Sequence, residues 1–255
     1  MTKWIVAFKK QCNLYLMEAW GLGMFMIAAS LITILFQHPD LKLVYRIPSD
    51  IIRRLLIGIV MGTTAVGIIY SPWGRKSGAH INPSVTLTML FLHKISLMDA
   101  FFYIVFQTIG GIIGIGIIVM LLPSYMNYPA VDYIVTIPGK SGIPAAIIGE
   151  AIISFLMMFI TLISSNNKKI QHLTGFITGL LIISFVTFEA PYSGFSMNPS
   201  RTIASAISSH NWTSWPLYIV VPPLSMLFAA ILYKIVFHQG TYKTLKHYFA
   251  PKGIS

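Results

Sequence analysis

The most prominent pattern along the chain is a series of long apolar stretches that are almost free of charged residues. Six of them approach the roughly 20 residues that an α-helix needs to cross the hydrocarbon of a bilayer. They are residues 15–36, 55–70, 100–122, 143–165, 170–188 and 215–233. Their length and their frequent glycines argue against a membrane β-barrel, whose strands show only about ten residues of alternation. The pattern predicts an all-α membrane protein with six spans.

Two further apolar segments, residues 82–92 and 198–208, are too short to cross a membrane. A helix of about 11 residues is only about 16 Å long, which is half of the hydrocarbon core. Irregular backbone at that depth is tolerated only where it is buried in protein or lines water. We therefore expect two re-entrant half-helices that enter from opposite sides and meet near the midplane with their N-termini facing.

Both short segments begin with Asn-Pro-Ser, inside a decapeptide that occurs twice. Residues 77–86 read SGAHINPSVT and residues 193–202 read SGFSMNPSRT, with six identities at an offset of 116 residues. The repeat extends to Glu18-Ala19 with Glu150-Ala151, and to the glycine pairs Gly58/Gly62 and Gly175/Gly179. Each half contains three spans, an odd number. The halves, about residues 12–123 and 143–237, should therefore have opposite orientations within a single domain covering residues 1–255.

Charged residues are sparse, and their distribution suits a membrane protein better than a nucleic-acid-binding protein. They make up 10% of the chain, the formal net charge is +11 and the mean hydropathy is +0.74. With both termini inside, the cytoplasmic bases are Lys3, Lys9, Lys10, Arg75, Lys76, Lys94, Lys168, Lys169, Lys234, Lys243, Lys246 and Lys252. The outer bases are Lys42, Arg46, Arg53, Arg54 and Lys140. This bias predicts cytoplasmic N- and C-termini and no nucleic-acid partner.

Other kinds of chemistry are poorly represented in the sequence. Cys12 is the only cysteine, which excludes an internal disulfide and a cysteine metal cluster. No histidine and carboxylate group has metal-ligand spacing, and no nucleophile, base and metal set converges. We expect no metal, no cofactor and no enzymatic activity. The N-terminus lacks a cleavable signal pattern, so the first span should be retained.

The Asn-Pro pairs have a clear local role. Asparagine is among the best N-cap residues and proline is favoured at the first helical position, so Asn82-Pro83 and Asn198-Pro199 should each start a helix. At a half-helix tip, the asparagine amide can cap with its carbonyl and point its NH₂ group into a lumen. Two facing helix N-termini, each with roughly half a positive charge, disfavour cations. Arg201, three residues after Asn198, either snorkels to the membrane surface or adds a full positive charge in a wet constriction, and its position in a re-entrant segment favours the constriction.

These features resemble the major intrinsic protein family, which comprises the aquaporins and the glycerol facilitators. The resemblance rests on GAHINPSVT, GFSMNPSRT, the early-span glutamates and the six spans, and it covers about residues 12–237. It implies an aquaporin-like bundle of six transmembrane helices plus two half-helices, with one pore per subunit in a homotetramer. The sequence departs from the family at Ser84 and Ser200, where the third motif residue is usually alanine.

The resemblance assigns roles to the residues around the two motifs. It implies that Asn82 and Asn198 are central donors that break the hydrogen-bonded wire of passing waters. It places Arg201, Phe195 and Val186 in an outer selectivity filter. The span-2 member of that filter is Met61, to within one position.

The filter residues give mixed indications of the solute. Val186 stands where strict water channels usually have histidine, and Phe195 resembles the aromatic residue of glycerol facilitators. Thr202, Ala206 and Tyr218 instead follow the water-channel pattern, whereas Ile219 does not. The preference between water and glycerol therefore stays open at this point.

Four titratable residues have both a structural and a functional interpretation. Glu18 and Glu150 either buttress the re-entrant loops by accepting backbone N–H groups, which the resemblance implies, or form a proton relay. His80 either lines the cytoplasmic vestibule or packs within its loop. Glu189 either tunes the outer vestibule or is a solvated acid at a helix end.

Together these residues predict a passive channel for water and small uncharged solutes such as glycerol, in a plasma or bacterial inner membrane. An inverted-repeat secondary transporter is the alternative, since broken helices serve there too. A coupled transporter needs titratable groups at the midplane, and the sequence offers only Glu18 and Glu150, early in their spans. An ion channel conflicts with Arg201 and with the facing helix dipoles.

Overall fold

The computed structural model describes residues 3–237. Lys243, Lys246 and Lys252, which the sequence predicts to be cytoplasmic, lie outside this range. Eight helices of nine or more residues organise the described part. They are α1 (Lys3–Gln37), α2 (Asp50–Tyr70), α3 (Pro83–Phe91), α4 (Leu97–Leu121), α5 (Gly142–Asn166), α6 (Thr174–Phe188), α7 (Pro199–Ser209) and α8 (Trp215–Val236).

Six of these helices are long and apolar enough to span a membrane, which confirms the predicted all-α fold class. The other two, α3 and α7, have 9 and 11 residues, so they reach only about 14 and about 17 Å. Large apolar side chains, among them Ile113, Leu180 and Leu224, are exposed on the outside of the bundle. Lipid is the solvent that suits such a surface.

The second span begins earlier than the apolar pattern predicts. The apolar pattern predicts a start at residue 55, directly after Arg53 and Arg54, but α2 begins at Asp50. Arg53 is buried and donates to the carbonyl oxygen of Ile47 at 2.6 Å, and it forms an ion pair with Asp50. A buried arginine charge is tolerated when it is paired and hydrogen-bonded in this way, although the Nε atom of Arg53 has no partner in the described part of the chain.

The long helices pack in pairs through small residues. The main pairs are α1 with α4, α2 with α6, and α5 with α8. A Cβ atom at Gly110 would lie 2.0 Å from the Ala19 carbonyl oxygen, and one at Gly114 would lie 2.4 Å from the Gly23 carbonyl oxygen. Backbones can approach this closely only where a side chain is absent. A Cβ atom at Gly116, on the same helix, would meet nothing within 4 Å.

The half-helices connect the two halves of the chain. Although α3 belongs to the first half, it packs mainly on α8 of the second half, and α7 of the second half packs mainly on α4 of the first. Each half-helix therefore lies inside the bundle, where its ends are shielded from lipid by both halves. This exchange also brings the two Asn-Pro-Ser segments together.

Candidate functional site

The first turns of α3 and α7 are capped in the way that their sequences predict. The Asn82 side-chain oxygen accepts from the Ser84 N–H at 2.8 Å. The Asn198 side-chain oxygen accepts from the N–H groups of Ser200 at 3.1 Å and Arg201 at 3.3 Å. Proline follows each asparagine as the first helical residue, where its missing N–H costs nothing.

The two asparagines also bind across the interface between the half-helices. Asn82 Nδ2 donates to the Met197 carbonyl oxygen at 2.8 Å, and Asn198 Nδ2 donates to the Ile81 carbonyl oxygen at 2.7 Å. These reciprocal bonds hold the two helix tips against each other. An amide NH₂ has two donors, so each asparagine retains one N–H beyond its cross-link. Both asparagines line the same cavity.

A buried carboxylate anchors the loop before each half-helix. Glu18 accepts from the N–H groups of His80 at 3.1 Å and Ile81 at 2.6 Å, and from the Ser77 hydroxyl at 2.7 Å. A carboxylate accepts several donors at once, and such charge-assisted bonds are the stronger ones. Gln107 of α4 supplies a fourth donor, at 2.8 Å.

The second loop repeats this arrangement. Glu150 accepts from the N–H groups of Ser196 at 2.6 Å and Met197 at 2.8 Å, and from the Ser193 hydroxyl at 2.8 Å. No fourth donor to Glu150 occurs within residues 3–237. Tyr218 donates to the Ser193 carbonyl oxygen at 2.6 Å, just as Tyr103 donates to that of Ser77 at 2.7 Å.

The loops need these anchors because their backbone is unusual. Ala79 and Ile81 have φ values of 47° and 42°, and Phe195 and Met197 have 53° and 51°. Left-handed conformations are uncommon for residues with a side chain and cost of order 1–3 kcal/mol each. They persist where surrounding contacts fix them, and the N–H groups bound to the carboxylates provide such contacts.

Around the second motif, the structure brings Phe195 and Arg201 to the cavity wall but not the other two expected filter residues. Phe195 and Arg201 line the cavity, and each is at least nine-tenths buried. Met61 and Val186 are also buried but do not line this cavity. Val186 lies against α2, where its Cβ atom would be 3.4 Å from a Cβ atom at Gly58.

The Arg201 guanidinium group is incompletely satisfied. Its Nη1 atom is buried and has no hydrogen-bond partner in the described part of the chain. A buried, unpaired donor of a charged group is costly, so a site of this kind favours a polar molecule that can accept from it. Arg201 occupies the position that Val85 has in the first motif.

The cavity is lined by the two asparagines, by Tyr70 at the end of α2 and by Thr174 at the start of α6. Its volume is about 470 Å³. His80 and Arg75 are polar lining residues, and Val85, Met157 and Ile182 are apolar ones. His80 is buried, with its Nδ1 atom 3.2 Å from the Thr86 hydroxyl and its ring beside Tyr103. His80 thus lines the cavity and also packs against α3 and α4.

Sequence reasoning missed several polar residues that support the motifs. Besides Ser77, Ser193, Tyr103 and Gln107, a chain of hydroxyls joins Thr136 to Thr202 at 2.9 Å and Thr202 to Ser196 at 2.6 Å. Ser77 and Ser193 were detectable as identical first residues of the decapeptides. Thr136, Gln107 and Tyr103 carry no comparable signal, because they lie far from the motifs in sequence.

The serines that replace alanine in the two motifs differ in their surroundings, and they give a matched test. The Ser200 hydroxyl is 2.7 Å from that of Thr108, whereas the buried Ser84 hydroxyl has no partner among residues 3–237. We expect Ser200→Ala to cost about 1 kcal/mol, and Ser84→Ala to be neutral or stabilising because it removes an unsatisfied group. Apparent melting temperatures in detergent would check this. Equal losses for both variants would contradict it.

The fold and the paired motifs define an all-α membrane protein of two inverted halves with half-helices that meet at their N-termini. The sequence profile of the major intrinsic protein family matches residues 7–233. The chain therefore belongs to the major intrinsic protein family. Within residues 3–237, no group of three or more histidine, cysteine or acidic side chains is placed to hold a metal ion.

Known proteins with similar sequences are aquaporins. Aquaporin-4 of Notomys alexis is 32% identical over 75% of this chain and 57% of its own length. A probable aquaporin of the NIP type from Nicotiana alata is 33% identical over 74% of this chain and 68% of its own. Aquaporin-5 of Rattus norvegicus is 30% identical, covering 88% and 83%. The chain thus matches just under three fifths of the aquaporin-4 sequence.

Among solved structures, the aquaglyceroporin from Plasmodium falciparum has a similar fold. The TM-score is 0.75 with 19% sequence identity, and the match covers 89% of this chain and 96% of the other. At this identity the likeness concerns the fold. It agrees with the assignment of six spans and two half-helices.

Proposed function

We propose that the protein is a passive transmembrane channel for water and small uncharged solutes such as glycerol. The observation that carries this proposal is the pair of cross-linked asparagines, Asn82 and Asn198, which line one cavity together with Arg201. Relatives with similar sequences are named aquaporins, and one solved structure with a similar fold is that of an aquaglyceroporin. The proposal treats residues 1–255 as one channel domain.

In this channel, Asn82 and Asn198 form the polar centre of the pore. Each amide keeps one N–H for a passing water while its other groups are fixed by capping and by the cross-link. Pro83, Pro199, Ser84 and Ser200 complete the two helix starts that hold the asparagines in place. A water that accepts from these donors cannot keep its neighbours aligned as a proton wire. The facing helix N-termini add a positive field against cations.

Arg201 and Phe195 form the selectivity filter beyond this centre, with Val186 and Met61 as supporting apolar residues. Arg201 presents the unpaired Nη1 donor on one side, and Phe195 presents an aromatic wall on the other. A solute with hydroxyls on one edge and C–H groups on the opposite edge suits this pairing. Water fits as well, because it can accept from the arginine. His80 lines the vestibule on the other side of the asparagines.

Glu18 and Glu150 act as buttresses of the two loops in this proposal. Every oxygen of either carboxylate accepts at least one hydrogen bond from its loop. A proton relay would need a carboxylate that is free to exchange with the lumen. The same reasoning disfavours a proton-coupled transporter.

The proposed channel also has a membrane, an orientation and an oligomeric state. Six apolar helices make the protein multi-pass, and the bias of basic residues favours cytoplasmic termini in a plasma or bacterial inner membrane. We propose a homotetramer in contact with membrane lipids, by analogy with the family. Each subunit would contain its own pore.

Stopped-flow light scattering on proteoliposomes tests the proposed function. In a sucrose gradient, the proteoliposomes should shrink faster than empty liposomes. An equal rate would show that the protein does not conduct water. In a glycerol gradient, re-swelling faster than in empty liposomes would establish the wider solute range. Saturable uptake that depends on a proton gradient would instead favour the transporter.

A further inference from the structure

Glu189 places an unpaired carboxylate beside the anchor of the second loop. It follows α6 directly, and its side chain lies against α5, where a Cβ atom at Gly149 would be 2.4 Å from the Oε1 atom. Both carboxylate oxygens are buried and neither has a hydrogen-bond partner in the range 3–237. The Ser193 hydroxyl, four residues further on, donates to Glu150 instead. The solvated helix-end acid that was one interpretation of the sequence does not describe this residue.

The first half of the protein has no equivalent carboxylate. With the repeat offset of 116 residues, Glu189 corresponds to Trp73, whose ring packs at 4.8 Å on that of Trp20. The two anchors differ as well, since Glu18 has the extra donor Gln107 and Glu150 has none in the described structure. The asymmetry therefore puts a second acid next to the less well satisfied anchor.

Burial of the carboxyl, together with the charge of Glu150, raises the pKa of Glu189 from 4.5 to about 7, although Ser193 acts in the opposite direction. A raised pKa means that this buried placement favours the protonated form. The stability that the buried position of Glu189 contributes is fully present below about pH 4.5, and it is lost as the pH rises through about 7. Between these values the placement becomes progressively more costly.

The charged and titratable groups around Glu189 come from all neighbouring elements. Glu150 on α5 and Tyr218 on α8 interact with it electrostatically. Arg201 on α7 interacts with Glu150. Arg54 on α2 donates to the Thr187 carbonyl oxygen at 3.0 Å, and Lys140 is exposed in the loop before α5. None of these residues forms an ion pair with Glu189 within the described residues.

We propose that Glu189 is a proton-binding site that regulates the pore from behind the selectivity filter. The protonated carboxyl stays in a notch, which is the space that the missing side chain of Gly149 leaves open. The ionised carboxylate is repelled by Glu150 and leaves the notch for water. Because the short helix Ala190–Ser193 connects Glu189 to the loop bearing Phe195, this movement loosens the filter loop and lowers water permeability. The inference rests on the proposed channel function and names its regulation.

The experiment measures water permeability of proteoliposomes by stopped flow, with equal pH on both sides, between about pH 5.5 and about pH 8.5. For the unmodified chain we expect permeability to fall at least about twofold across this range, with a midpoint near pH 7. The water permeability of Glu189→Gln should be independent of pH and equal to that of the unmodified chain at acid pH. His210→Gln, which removes an exposed titratable group at the end of α7, should keep the full response.

Gly149→Ala provides a second, independent variant. Its methyl group would occupy the position of the carboxylate, so Glu189 should stay outside the notch at every pH. The water permeability of this variant should then be independent of pH and remain near the low value that the unmodified chain has at alkaline pH. A pH response like that of the unmodified chain would contradict the proposed notch.

The outcomes separate the regulation from the channel function. Permeability above that of empty liposomes but independent of pH would overturn the regulation alone. Permeability equal to that of empty liposomes at every pH would overturn the channel function as well. A response that persists in Glu189→Gln would belong to another group, such as His80, and would also overturn the inference.

Discussion

Arg201→Ala should raise the permeability of the protein to glycerol and to protons while water still passes. The substitution removes the charged member of the proposed filter and replaces a long buried side chain by a methyl group, so the proposed constriction should widen and its positive field should weaken. A barrier lower by about 1.4 kcal/mol corresponds to about a tenfold faster leak. Glycerol re-swelling and the decay of a pH gradient in proteoliposomes would measure both effects.

Val85→Ala is the matched control, because Val85 occupies the same place in the first motif. It lines the cavity but carries no charge. We expect its proton leak to equal that of the unmodified chain. If Arg201→Ala also left both leaks unchanged, Arg201 would have no place in the filter.

Glu150→Gln should destabilise the protein by about 3 kcal/mol or more and abolish most of its water permeability. Glu150 accepts from Ser193, Ser196 and Met197, and hydrogen bonds to a charged group contribute about 1.5–3 kcal/mol each. An amide replaces one accepting oxygen by an NH₂ group, which then faces donors. The loop would lose the contacts that hold Phe195 and Met197 in left-handed conformations. Thermal unfolding in detergent and stopped-flow permeability would record the two losses.

Two other glutamates serve as comparisons for this substitution. Glu18→Gln should lower the free energy of unfolding at least as much as Glu150→Gln does, because Glu18 accepts from four donors. Glu189→Gln should cost little, because no hydrogen bond is lost at a carboxylate that has no partner among residues 3–237. Equal melting temperatures for Glu150→Gln and Glu189→Gln would show that the loop does not depend on the carboxylate.

Much of the architecture could be predicted because it is encoded locally. Long uncharged runs can be satisfied only by spanning helices, and Asn-Pro identifies the starts of α3 and α7. The duplication of the motif predicted two inverted halves. The start of α2 was missed because the charge of Arg53 does not reveal that this residue donates to the Ile47 carbonyl oxygen and pairs with Asp50.

The candidate site was predicted less completely than the fold. Asn82, Asn198, Phe195 and Arg201 were found through the repeated motif, and the structure places all four on one cavity. Gln107 and Thr136 were not found, because each is remote in sequence from the loop that it supports. Nor could a glycine count separate Gly110, where a Cβ atom would collide with Ala19, from Gly116, where a Cβ atom would meet nothing within 4 Å.

The sequence by itself determined the six spans, the two half-helices and the chemistry of their tips, since hydrophobic length and helix capping depend on neighbouring residues. Only the tertiary structure decided which group meets which. It exchanged the half-helices between the halves, gave Ser200 a partner but not Ser84, and buried Glu189 against Gly149. Such outcomes depend on how helices distant in the chain pack together, and packing sets the burial and the hydrogen-bond partners of each polar group.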